Sequence, residues 1–120
     1  MSTVSIRKTH GEDYASIKTV VDQVIADLGG LEDIIKPGYK VIIKPNLVAC
    51  PTERLSGGVT RWEVCLAIYE AVKAVGGVPV IAESSAAGAD TELTIAKCGY
   101  QELRDKGIPV IDLKQKENAR

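Results

Sequence analysis

Apolar residues recur along this chain in two rhythms. Between Asp13 and Leu28 they fall at Ile17, Val20, Val21, Val24, Ile25 and Leu28, stepping by three and four, which predicts an amphipathic helix over 13–28. Asp13 suits its start and Gly29-Gly30 its stop. Val64, Cys65, Ile68, Tyr69, Val72 and Val75 repeat the pattern and predict a second helix over 61–75, ended by Gly76-Gly77. Thr60 and Glu63 have capping-box spacing at its start. Asp90 suits the cap of a short helix over 91–97, and a further helical turn is expected near 101–106. The second rhythm is that of strands, expected at 3–8, 40–44, 78–82 and 108–113. Val4 and Ile6 alternate weakly in the first. Val41-Ile42-Ile43 is a run of β-branched residues, which predicts burial on both faces of a sheet covered by helices. Pro45 lacks an N–H and stops that strand, while Pro79 and Pro109 stand near the starts of the next two.

Strands alternating with helices predict an α/β fold: a three-layer sandwich with a mostly parallel four-stranded sheet and right-handed crossovers. It is Rossmann-like without the dinucleotide fingerprint, since neither G-x-G-x-x-G nor G-x-x-x-x-G-K-[ST] occurs. No repeat or linker divides the 120 residues, so residues 1–120 read as a single domain.

Composition narrows the partners. A formal net charge of −1, with Lys and Arg scattered, argues against nucleic acid and against a basic membrane-binding patch. The absence of Phe removes most base-stacking platforms. No apolar run reaches transmembrane length and no signal-peptide core opens the chain, so a cytoplasmic location is expected. Cys50, Cys65 and Cys98 are widely spaced and form no C-x-x-C pair, so no metal site is expected from these residues. Cys65 lies in a helical stripe and reads as a small buried hydrophobe. Cys50 stands beside Pro51 with no base near it in sequence, and its role stays open. His10 reads as a solvated turn residue, because no second ligand is close in sequence.

Ligands of open parallel sheets gather at the carboxyl ends of the strands. Two loops leave that edge, 44–60 and 83–89, and the first is long enough to suggest function. Lys44 offers a cation and Asn46 an amide. Ser56, Gly57 and Gly58 let backbone N–H groups approach a ligand, and the helix start at Thr60 adds a positive dipole end. Arg61 offers a bidentate donor. Glu83, with Ser84 beside it, is the candidate ligand or base on the facing wall. A small anionic or polar ligand is the expected occupant. The competing reading is a plain surface loop ahead of a capped helix. Trp62, the sole tryptophan, reads as a packing or interface residue.

Ile42-Ile43-Lys44-Pro45-Asn46-Leu47-Val48, then Pro51, Gly57-Gly58, Thr60 and Glu63-Val64, resembles the family called domain of unknown function 362. The resemblance continues through Gly76 to Ser84 and through Gly99-Tyr100 to Val110-Ile111-Asp112-Leu113. It implies a longer, iron–sulfur-associated and redox parent protein, of which this chain is an N-terminal piece. A ferredoxin-like four-cysteine domain elsewhere in that parent would carry the cluster, so no cofactor is expected in this chain. The family usually shows His-Pro after the threonine matched to Thr60, where this chain has Arg61-Trp62. Two functions follow as expectations: a ligand-binding domain of a redox protein, or a non-enzymatic docking module, with self-association open in either case.

Overall fold

A computed structural model describes residues 2–49, 57–115 and 117. The elements run α1 (Tyr14–Asp27), β1 (Lys40–Ile43), α2 (Trp62–Ala74), β2 (Val78–Glu83), α3 (Thr91–Lys97), α4 (Gln101–Asp105) and β3 (Val110–Asp112). The strands form one sheet in the order β1-β2-β3, and both pairings are parallel. Ile43 sits opposite Ile81, and Ile81 opposite Val110. The α/β class and the parallel sheet are therefore as expected.

Among the described residues the sheet has three strands, where four are expected. Residues 3–8 form no strand among the described residues. Val4 and Ile6 are 78% and 88% exposed, while Ser5 and Arg7 bond inward to the Asp27 carboxylate of α1. Alternation alone does not make a strand; a neighbouring strand must supply the ladder, and residues 3–8 pair with none among the described residues.

The third layer of the expected sandwich is not formed by the described residues. Successive side chains along a strand point to opposite faces, and register partners share a face. Ile43, Ile81 and Val110 lie on one face, in a core cluster with Cys65 and Leu66 of α2, Ile95 of α3 and Leu103 of α4. Both crossovers advance the sheet in the same direction, so right-handed connections put their helices on the same side. α1 packs on α2. The opposite face is left open toward its amino end. Ile42 is 64% exposed and Val78 55%, so β1 is not buried on both faces as its β-branched run predicts.

Local chemistry explains the helix ends. The Asp13 carboxylate accepts from the Ser16 N–H and caps α1. Asp90 does the same for α3 through the Leu93 N–H. After α2, Gly76 takes φ 88° and Gly77 lets β2 turn in tightly. A Cβ on Gly77 would meet Val72 Cγ1 at 2.6 Å and Ile35 Cγ2 at 2.9 Å, so the turn requires its missing side chain. Deeper in, Tyr100 is fully buried and donates to the Thr60 carbonyl at 2.8 Å. Burial, with the neighbouring Cys65, raises its phenol pKa well above the usual tyrosine range.

Candidate functional site

β1 and β2 are parallel neighbours, so the segments that follow them leave the same edge of the sheet. Glu83, the last residue of β2, is 1% exposed and anchors that edge. Its carboxylate accepts from the Leu47 N–H at 2.8 Å and the Ser84 N–H at 2.7 Å, and Lys44 Nζ lies 3.2 Å away. A buried carboxylate needs such partners, because an unpaired one would carry a large desolvation cost. With its oxygens occupied in this way, Glu83 is built as an anchor for the loop rather than as a free base.

Asn46 and Thr60 clasp the two ends of the first loop. The Thr60 N–H donates to the Asn46 carbonyl at 2.9 Å, and the Asn46 N–H donates to the Thr60 hydroxyl at 3.0 Å. The expected capping box is therefore not formed. The Thr60 hydroxyl is committed to Asn46, and the cap residue of α2 is Arg61, which makes no side-chain cap hydrogen bond. Arg61 is turned instead toward the helical layer, where Nη2 reaches the Glu12 carbonyl at 2.9 Å and Glu63 Oε1 at 3.3 Å. It lines a cavity of about 200 Å³ between α1 and α2 with Arg7, Ile17 and Val64.

The edge is thus an exposed polar rim on a buried anchor. Lys44 keeps 59% of its side chain exposed, and Asn46, Gly57, Gly58 and Ser84 are exposed as well. Lys44, Asn46, Thr60, Glu83 and Ser84 are brought together; Arg61 points away; Ser56 and Cys50 lie outside the described residues. Val48 has φ 51°, and it is the one described non-glycine residue with a positive φ. A β-branched side chain there is strained, and such outliers concentrate at functional sites. The Val48 carbonyl accepts from the Ala86 N–H, which joins the two loops.

Sequence reasoning missed the other half of this edge. Lys114 Nζ is caged by the Ala89 carbonyl at 2.7 Å, the Ala86 carbonyl at 2.9 Å and Ser85 Oγ at 3.2 Å. Ser85 Oγ also pairs with the Thr91 hydroxyl at 2.8 Å. Asp112 is buried opposite Glu83 in the β2–β3 register. Only that strand register could have signalled Asp112, and Lys114 reads locally as part of a polar tail. Trp62 is half-buried against the core and lines a groove of about 380 Å³ with Tyr14, Leu66 and Ile108. Among the described residues, no group of His, Cys, Asp and Glu could hold a metal ion, and no helix is long and apolar enough to cross a membrane.

A family model described as domain of unknown function (DUF362) matches residues 41–120. A thylakoid-associated protein of Synechocystis sp. is 27% identical over 116 residues, which cover 95% of this chain and 35% of that protein. The chain thus spans about a third of the length of that relative. No solved structure matches it.

Proposed function

This chain belongs to the family called domain of unknown function (DUF362), and from that premise we propose that it is a ligand-binding α/β domain whose sheet edge takes a small anionic or polar ligand. One observation carries the reading. The buried Glu83 carboxylate pins Lys44, Leu47 and Ser84 at one edge, so an exposed cation and amide stand on a fixed base beside the start of α2. The strained Val48 between them supports it. Lys44 is partly neutralised by Glu83, which favours a polar or singly charged ligand over a polyphosphate. A helix N-terminus adds only about 0.3–1 kcal/mol at an exposed site, so Lys44 must contribute for binding to be measurable.

In this reading the domain serves an iron–sulfur-associated redox protein of the cytoplasm. The cluster sits in a ferredoxin-like partner domain and not in these residues. That part rests on the family resemblance, and a four-cysteine run in the complete reading frame is what it requires.

The test is a titration with inorganic phosphate followed by amide chemical shifts. Binding in the millimolar range is expected, with shifts clustered at residues 44–48, 57–61 and 83–85, and weakened severalfold in Lys44→Ala. Shifts confined to other surfaces, or an affinity unchanged in Lys44→Ala, would sink the site.

A further inference from the structure

The open face of the sheet needs a cover that these elements do not supply. α2, α3 and α4 share one core with the Ile43, Ile81 and Val110 face. On the other face Ile42 and Val78 are exposed, Val80 and Ile111 half-buried, and only Ala82, at the carboxyl end, is fully buried. Sheets whose strands are all parallel are found with both faces covered, because their apolar residues alternate onto both sides. We propose that this face is the seat of an amphipathic helix from a parent polypeptide longer than these 120 residues, as the thylakoid-associated relative is.

Size selects this occupant. Three short strands about 4.8 Å apart, rising about 3.3 Å per residue, present a face on the order of 200–300 Å². Free-standing complexes bury about 800 Å² on each partner, so a second copy stacked face to face gains too little to hold. A covalently joined helix needs far less, because tethering gives it a millimolar effective concentration. The relative supplies the length: this chain covers only 35% of it. The patch suits a helix with an aliphatic stripe, and Lys40, exposed on the same face, complements an acidic flank on that helix.

The experiment compares Ile42→Asp in the 120-residue chain and in the protein encoded by the complete reading frame, with Ile42→Ala as a milder variant. In the short chain the melting temperature should move by no more than about 2 °C, since the residue already faces water. In the longer protein it should fall by about 5 °C or more, and amide exchange across Val41–Ile43 should speed up about tenfold. Ile42→Ala should shift both readouts in the same direction and by less. Equal effects in the two proteins would overturn the proposal, as would a reading frame that ends with these residues. A short chain that sediments as a dimer and is dissociated by Ile42→Asp would overturn it too, by giving the face to a second copy.

Discussion

Glu83 shows how one residue organises the sheet edge. Its carboxylate joins the end of β2 to the backbone after β1 through Leu47, and to the Lys44 ammonium. Glu83→Gln keeps the shape but sets a donor NH₂ where only acceptors fit. Either the Leu47 N–H then loses its partner, or the amide turns and the Ser84 N–H and the Lys44 ammonium lose theirs together. Leaving a buried group unsatisfied costs about 1–3 kcal/mol, and this site has two such donors. We expect Glu83→Gln to lower the unfolding free energy by about 2–3 kcal/mol in urea with an unchanged m-value. A midpoint equal to wild type would show that the anchor is not where the edge gets its order. Lys44, Asn46 and Glu83 could be singled out beforehand because each ends or follows an apolar run that reads as a strand. Lys114 could not. Its carbonyl cage comes from residues 25 and 28 positions earlier, and only the folded chain brings them together.

At the scale of elements, legibility followed whether a segment's fate is decided locally. α1 and α3 were readable because a 3.6-residue stripe and an Asp cap are local facts. β2 was readable from its apolar run and the paired glycines before it. Residues 3–8 alternate as a strand does and yet form none, because a strand is a relation between two segments. Instead the N-terminal segment is tied to α1. Arg7 and Ser5 hold the Asp27 carboxyl down to a pKa of about 2, from 3.8 in the unfolded chain. The folded state thus binds its proton later than the unfolded state as pH falls. The stabilisation is complete above about 3.8 and is lost as pH drops through about 2. In a carboxyl-detected titration Asp27 should have its midpoint near 2, returning toward 3.8 in Arg7→Ala. A wild-type midpoint at 3.8 would mean that the segment is not held by this pair.

At the scale of the molecule, one core joins every helix that follows β1. Cys65 on α2 and Cys98, which caps the end of α3, are both 2% exposed and belong to the same cluster. The Cys65 thiol also sits 3.3 Å from the hydroxyl of Tyr100, the cap residue of α4, so α2 meets the α3–α4 corner through this contact. Burial pushes the Cys65 thiol up from its usual pKa, which lowers its thiolate fraction and its reactivity. If the helical layer opens as one unit, both thiols become reachable in the same event. In Cys50→Ser protein, a thiol reagent at mildly alkaline pH should therefore label Cys65 and Cys98 with similar protection, and urea should raise both rates together. Peptide mapping of the labelled protein separates the two sites. Labelling of Cys98 about tenfold ahead of Cys65 would show that the α3–α4 corner opens by itself. The single cooperative core would then be wrong, although the sheet and its polar edge would stand.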